Sequence, residues 1–227
     1  MLRNPTAALA SLAMVAALVS APAQAGPVQD DIVAKAKITL DDLRRDKEFG
    51  NARDLMRRAR GVMIVPALVK GGFFVGGEGG DAVMLARGRD GSWSQPCFYT
   101  LASASFGLQI GLEQSEVVLI VMSDRALNAF MSDEFKLGAG AGLTVVTLGS
   151  GVEGATTSHL NADIVAWSSS TGLYGGLTLD GSLIKPRTSY NQAYYGRAEN
   201  PGDILVNRAA PVVPASTGLV AAVTSTS

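Results

Sequence analysis

Closely spaced glycines dominate the middle of this 227-residue chain and limit how it can fold. Of its 26 glycines, 22 lie between Gly61 and Gly196, at the ends of short apolar runs such as GVMIVP and GLYGGL. Glycine permits tight turns, positive φ and close backbone approach, so this spacing is typical of many short, closely packed strands. The sequence therefore predicts a β-rich body over residues 61–206.

That body contains few groups suited to catalysis or metal binding. It holds the chain's one histidine, His159, and its one cysteine, Cys97, which we interpret as a buried apolar residue, with a reactive thiol as the alternative. Zinc-ligand spacings and a phosphate-binding P-loop are absent from the sequence. Residues 149–154 (GSGVEG) match a dinucleotide-binding pattern, but no helix pattern follows them, and phosphate binding needs a helix N-terminus. We predict no enzyme activity, catalytic residue, metal site or cofactor.

The first 25 residues have the pattern of a secretory signal peptide. Arg3 precedes an uncharged apolar run from Ala7 to Val19, and Ala23-Gln24-Ala25 is a small-x-small cleavage pattern. The apolar run is shorter than the ~20 residues that cross a bilayer. We expect cleavage near Gly26 and a periplasmic protein, peripherally associated with a membrane; an uncleaved anchor is the alternative.

Two helices are expected in residues 26–60. Residues 30–48 repeat apolar residues with a helical period, and Gly50 interrupts this pattern. Asn51 is suited to cap a second helix that ends before Gly61. The apolar faces are formed by Ile32, Val33, Ala36, Leu40 and Leu43 in the first helix and by Ala52, Leu55, Met56 and Ala59 in the second.

Basic residues are concentrated on these two helices. Residues 30–60 contain nine Lys or Arg and seven Asp or Glu, whereas the whole chain has a net charge of −1, which gives no general attraction to nucleic acid. A mixed-charge helix usually covers a core and faces solvent. The other interpretation is a face for anionic lipid, where each cation contributes about 1 kcal/mol. The candidate lipid-binding residues are Lys35, Lys37, Arg44, Arg45, Arg53, Arg57, Arg58 and Arg60.

Turn signals in the β region favour antiparallel pairing. Asp90-Gly91 and Asp180-Gly181 each separate two apolar runs, as in hairpins, and Ser123 is suited to cap a short helix. Residues 207–227 are rich in Pro, Ala, Ser and Thr and show no clear period. We predict that they form a flexible tail.

Several blocks of the sequence together resemble the SYLF domain. They cover roughly residues 30–206 in the family's order. One departure is the loop after 136–138, where many bacterial members carry Gly-Pro-x-Gly and this chain has Gly149-Ser150-Gly151. The blocks are ARGVMIVP at 59–66, KGGFFVGG at 70–77, WSQP at 93–96, FGLQIG at 106–111, FKLG at 135–138, WS at 167–168, GLYGG at 172–176 and NQAYYG at 191–196.

The resemblance implies an α+β fold with a curved, barrel-like antiparallel β core, N-terminal amphipathic helices and one short internal helix. It also implies lipid binding. Eukaryotic SYLF proteins bind phosphoinositide membranes, partly through an N-terminal amphipathic basic helix, and some bind actin. Bacterial members are exported, so only the lipid property transfers to a periplasmic chain.

The resulting expectation is a protein that binds anionic phospholipid headgroups or the membrane surface of the cell envelope, and no nucleic acid. The alternative is a structural or envelope-stress protein that binds another protein through its β surface. Headgroup attraction weakens as salt screens it, whereas an apolar protein interface changes little, so salt dependence distinguishes the two.

Overall fold

A computed structural model describes residues 26–46, 49–138, 142–148, 162–170, 179 and 181–227. The predicted signal segment, His159, the GSGVEG segment and the GLYGG block lie outside the described residues. The fold below is therefore the fold of the described ranges.

Helices flank a single β-sheet in the described residues. The α-helices are α1 (Pro27–Arg45), α2 (Phe49–Arg58), α3 (Asp124–Ala129), α4 (Thr188–Tyr195), α5 (Pro201–Leu205) and α6 (Thr217–Thr226). A one-turn 3-10 helix, Pro214–Ser216, precedes α6. The strands are β1 (Gly61–Ala86), β2 (Cys97–Val121), β3 (Phe135–Lys136), β4 (Val145–Leu148), β5 (Ile164–Ser170) and β6 (Leu183–Pro186).

The sheet is built around the long antiparallel pair of β1 and β2. Its register runs from Gly61 opposite Val121 to Met84 opposite Cys97. The other edge of β2 pairs antiparallel with both β5 and β6, β3 extends the sheet beyond β6, and β4 pairs with β5 in parallel. The predicted α+β fold with a curved, mainly antiparallel core is confirmed, and the parallel β4–β5 pair departs from it.

Strand β1 joins three apolar runs that the sequence suggests as separate strands. Residues 62–65, 73–75 and 82–86 are successive parts of one strand of 26 residues. Its register against β2 shifts between Val65 and Leu68 and again between Gly72 and Phe74. Such irregularities bend a strand locally and increase its twist. The glycines between the runs therefore lie within a bent strand and do not end it.

The same strand doubles back on itself, which makes the sheet barrel-like. A Cβ atom placed on Gly80 would lie 2.5 Å from the carbonyl oxygen of Ala67 and 2.9 Å from Cγ1 of Val65. A straight strand advances about 3.3 Å per residue, so positions 67 and 80 would be about 43 Å apart. Their close approach requires strong curvature, and only a hydrogen atom fits at position 80.

The two N-terminal helices cover the core with the faces expected from their periodicity. In α1 the five predicted apolar residues are buried, and in α2 the same is true of Leu55 and Met56, followed by buried Ala59. Helix α1 packs on β1 and β2. The first helix spans Pro27–Arg45, slightly earlier than the predicted 30–48, because Pro27 is compatible with the first helical turn.

The predicted turn at Asp90-Gly91 and the predicted cap at Ser123 are both confirmed. Gly91 adopts φ of +81°, and its N–H donates to the carbonyl oxygen of Gly88 at 3.0 Å. The Ser123 hydroxyl accepts a hydrogen bond from the N–H of Ala126 at 3.0 Å, at the start of α3. Both features depend on neighbours within a few residues, which is why sequence pattern identifies them.

The prediction of a flexible tail over residues 207–227 is wrong in this structure. Helix α6 packs against α1, and it buries Leu219 and Val223. The exposed positions Gly218, Ala221, Thr224 and Ser225 are small and uncharged, and the buried Thr226 is polar. A helix without charged residues on its outer face shows weak contrast between its two faces, which explains the missed helix.

Side chains of the WSQP block hold this C-terminal segment. The Gln95 side-chain oxygen accepts hydrogen bonds from the Ser216 hydroxyl at 2.6 Å and from the Val213 N–H at 3.3 Å. The Trp93 indole N–H donates to the hydroxyl of Ser227 at 3.3 Å. The block therefore joins the connection between β1 and β2 to the end of the chain.

Replacing Gly80 by alanine should destabilise the protein, because the new methyl group meets backbone that must move. We expect a loss of about 2 kcal/mol in the free energy of unfolding, within the range for overpacking. Gly79→Ala is the matched control, since a Cβ there meets the Leu101 carbonyl oxygen at an ordinary 3.7 Å. Denaturant unfolding measures both. Equal stability of the two variants would contradict the curl at position 80.

Docking of α6 predicts that Val223→Ala lowers the free energy of unfolding by about 2 kcal/mol, because it removes buried methyl groups and leaves a cavity. Val212→Ala provides the same chemical change at a site that is 74% exposed, and it should change stability by less than about 0.5 kcal/mol. Thermal melting of both variants provides the comparison. A melt for Val223→Ala that matches the parent would mean that the helix is not docked.

Candidate functional site

Helix α2 presents a basic face to solvent. Arg53, Arg57 and Arg58 are exposed, whereas Leu55 and Met56 are buried beneath them. Arg57 forms an ion pair with Asp54 one turn earlier. Three arginines thus stand against one carboxylate on this short helix, and the burial of its apolar side fixes which face points outward.

Arg60 extends this basic surface beyond the end of α2. Its side chain is half-exposed, and its Nε atom lies 3.2 Å from Oδ1 of Asp124 at the start of α3. The contact joins the segment after α2 to a helix that follows β2. Arg60 is therefore already partnered by a carboxylate.

The basic residues of α1 are largely balanced by aspartates of the same helix. Lys35 pairs with Asp31 at 2.6 Å, and Arg45 pairs with Asp42 at 2.7 Å. The other two cations of α1, Lys37 and Arg44, share one carboxylate. They lie 2.7 Å and 3.5 Å from Asp41, respectively.

These ion pairs reduce the attraction of α1 for anions, and they contribute little to the stability of the fold. The hydrogen bond from Lys37, assisted by nearby cations, lowers the pKa of the Asp41 carboxyl, so this group is charged at neutral pH. Exposed ion pairs contribute only about 0–1 kcal/mol each to stability. The four cations of α1 are matched by four aspartates in the same helix, so α1 carries no net charge, whereas α2 carries three arginines and one aspartate.

The eight candidate residues do not all share one face. Positions 35 and 37 are separated by about 200° around an α-helix. Lys37 also lies beside α6, where a Cβ on Gly218 would be 3.6 Å from its Cδ atom. The structure therefore brings Arg53, Arg57 and Arg58 together on the exposed face of α2 and distributes the α1 cations around the exposed half of that helix.

An exposed apolar side chain on α1 was missed by the sequence reasoning. Ile38 is 55% exposed and lies one turn from Lys35 and two turns from Arg45. An apolar residue flanked by cations suits the boundary between headgroups and acyl chains. Its position on the outer side of the helix could have been found, because it is out of phase with the buried apolar residues.

The two groups with the most reactive chemistry in the described residues have structural roles. Cys97 is fully buried, and burial raises the pKa of its thiol to about 12, so it carries almost no thiolate at neutral pH. Burial favours the neutral acid at Asp163, but hydrogen bonds from Ser123, Thr144 and Arg125 outweigh this effect and lower its pKa. Asp163 thereby joins the start of α3 to β4 and β5. The prediction that Cys97 is buried is confirmed.

The NQAYYG block also acts inside the fold. The Asn191 side-chain oxygen accepts a hydrogen bond from the Phe98 N–H at 2.8 Å, and the Tyr195 hydroxyl donates to the carbonyl oxygen of Pro96. Tyr194 packs edge-on against Phe98 with ring centroids 4.9 Å apart. These contacts fix α4 on the first residues of β2, so the block contributes to packing.

The described residues contain neither a cluster of metal ligands nor a helix of membrane-spanning character. Within those ranges no three His, Cys, Asp or Glu side chains are grouped so that they could hold a metal ion. Among the helices of the same ranges, none has both the length and the apolar character of a membrane span.

A family model described as "Ysc84: Las17-binding protein actin regulator" matches residues 102–226. The chain is 31% identical over 188 residues to the SH3 domain-containing YSC84-like protein 1 of Rattus norvegicus, an alignment that covers 79% of this chain and 55% of the rat protein. The human protein of the same name shows the same identity and coverage.

Two yeast proteins give similar results. LAS seventeen-binding protein 3 and Protein YSC84 of Saccharomyces cerevisiae are 31% and 32% identical to this chain over 168 residues, which is 71% of this chain and 36% of each yeast protein. The chain thus spans about half the length of the mammalian relatives and about a third of the yeast ones. The family description and one yeast relative are named for protein binding, and none of these names describes an enzyme.

Proposed function

Because the chain belongs to the SYLF family of Ysc84-like proteins, we propose that it is a non-enzymatic protein that binds anionic membrane surfaces of the cell envelope through its basic N-terminal helices. In this proposal the signal segment directs export, and the remaining chain acts in the periplasm. The observation that carries the proposal is the arginine face of α2, which is exposed while the opposite face is buried in the core.

The arginine face has the chemistry that phospholipid headgroups require. A guanidinium group donates several hydrogen bonds in a planar fork, which matches the oxygens of a phosphate. Each cation close to an anionic leaflet contributes about 1 kcal/mol, and the attraction falls off within a Debye length. Arg53, Arg57 and Arg58 together are therefore sufficient for reversible association, and Asp54 is the one acidic residue between them.

Helix α1 supports the contact in a different way. Ile38 offers apolar surface between Lys35 and Arg45, and long basic side chains keep their charges at the headgroups while their stems lie along apolar surface. The aspartates that pair with the α1 cations reduce its attraction. The proposal therefore assigns the main electrostatic contribution to α2 and a smaller apolar contribution to α1.

A protein partner is the second candidate function. The family description names Las17 binding and actin regulation, and one yeast relative is named LAS seventeen-binding protein 3. For this chain the corresponding proposal is a protein contact through the β surface, where Val69 of β1 is 44% exposed. Such a contact would change little with salt, unlike headgroup binding.

The test is sedimentation of the chain from Gly26 with vesicles of phosphatidylcholine alone or with phosphatidylglycerol added. Parent protein should bind the anionic vesicles and lose binding as salt rises. Arg57→Glu with Arg58→Glu should weaken binding by at least about thirtyfold, from two lost attractions of about 1 kcal/mol each. A melting curve checks the fold, since negative charge late in a helix opposes its dipole.

The matched control is Lys136→Glu with Lys185→Glu, which changes the net charge equally at exposed cations of β3 and β6. It should retain most of the binding. Equal losses in both double variants would show an effect of overall charge and not of α2. Binding by the α2 variant equal to that of the parent would contradict the proposal, and the neutral pair Arg57→Gln with Arg58→Gln replaces it if the glutamate variant fails to fold.

A further inference from the structure

The turn between β1 and β2 is joined by hydrogen bonds to the end of α2 and to the residue that follows it, Arg60. We call residues 87–92 the hairpin turn. The Arg87 N–H donates to the carbonyl oxygen of Arg60 at 2.8 Å, and the Arg87 guanidinium donates to the carbonyl oxygen of Arg57. The last carbonyls of a helix lack helical partners and carry partial negative charge, so a guanidinium stabilises them. The hairpin turn and the basic end of α2 therefore form one surface.

The hairpin turn is held in a defined shape by its own hydrogen bonds. The Gly88 N–H donates to the carbonyl oxygen of Ser92 at 2.9 Å, and the Asp90 carboxylate accepts from the Ser92 N–H at 3.1 Å. Arg89 lies at the tip and is exposed. This arrangement presents the Arg89 side chain from a fixed backbone.

Arg208 adds a further cation to the same turn. Its guanidinium donates to the carbonyl oxygen of Ser92 at 2.6 Å and lies 3.7 Å from the Asp90 carboxylate. A Cβ atom on Gly88 would collide with this guanidinium, so the glycine leaves the space that Arg208 occupies. The C-terminal segment thus contributes charge to the surface that α2 and the hairpin turn share.

The charges of this shared surface are strongly unequal. Each of its three aspartates is paired with one of its arginines. Three more positive than negative charges remain. The arginines are Arg57, Arg58, Arg60, Arg87, Arg89 and Arg208, and the aspartates are Asp54, Asp90 and Asp124.

The hairpin turn offers charge without apolar anchors. Its tip is Arg89-Asp90-Gly91-Ser92, and the adjacent Trp93 is buried with the Arg87 guanidinium 5.8 Å from its ring. A contact made by this turn would therefore stay at headgroup depth and depend on salt.

We propose that the hairpin turn is a second contact for anionic phospholipid headgroups, with Arg89 as its contact residue. Together with the end of α2 it orients the molecule so that this shared surface faces the bilayer. The inference rests on the proposed function and extends it to a residue outside the N-terminal helices. Helix α1, whose four cations are all paired with aspartates of the same helix, is secondary in this orientation.

The test measures binding of Arg89→Gln and Arg89→Glu to the phosphatidylglycerol vesicles. Removing the charge should weaken binding roughly fivefold, and reversing it should weaken binding roughly thirtyfold. Lys185→Glu is the control, because it makes the same charge change at an exposed cation on β6 and should weaken binding by less than about threefold. Melting curves establish whether each variant is folded. If Arg89→Glu is unfolded, the binding of Arg89→Gln alone decides the test.

The outcomes separate this inference from the proposed function. Parent binding with full retention in the folded Arg89 variants overturns the role of the hairpin turn and leaves the proposed function standing. Equal losses in Arg89→Glu and Lys185→Glu also overturn it, because only overall charge would then matter. A parent protein that does not bind anionic vesicles overturns both.

Discussion

The close approach of Gly80 to Val65 and Ala67 is the constraint on which the rest of this structure depends. It turns the long β1–β2 pair into a curled sheet with room for helices on its surface. Helix α1 packs on that curled pair. The connection between β1 and β2 holds the C-terminal segment through hydrogen bonds of Gln95 and Trp93. A flat pair would separate these contacts, so the curl brings the two ends of the chain together.

The candidate surface is preformed by the same packing. Burial of Leu55 and Met56 fixes the rotation of α2, and the Arg87 guanidinium binds a carbonyl near its end. A preformed basic face does not lose the ordering entropy of a segment that folds only on binding. The ion pairs of α1 weaken its attraction to a membrane, since aspartates of the same helix neutralise the cations that would otherwise attract headgroups.

Local features of this fold were predictable from sequence, and features that depend on distant contacts were not. The apolar face of α1, the Asp90-Gly91 turn and the Ser123 cap depend on near neighbours. The continuity and curl of β1 depend on pairing with β2, which no local pattern encodes. The Asp31–Lys35 pair has a four-residue spacing typical of helical ion pairs, so the balance of charges within α1 was visible in the sequence. Docking of α6 was hidden because its outward residues are small and uncharged, so its two faces differ little in the sequence.

Amide hydrogen exchange with and without anionic vesicles tests the central claim most directly, because it maps the contact on the unaltered chain. The account predicts slower exchange in the hairpin turn and around the end of α2 when phosphatidylglycerol vesicles are added, with relief at high salt. Exposed amides near Lys136 and Lys185 should exchange at unchanged rates. Protection at β3 and β6 instead, or no change at residues 87–92, would contradict the account.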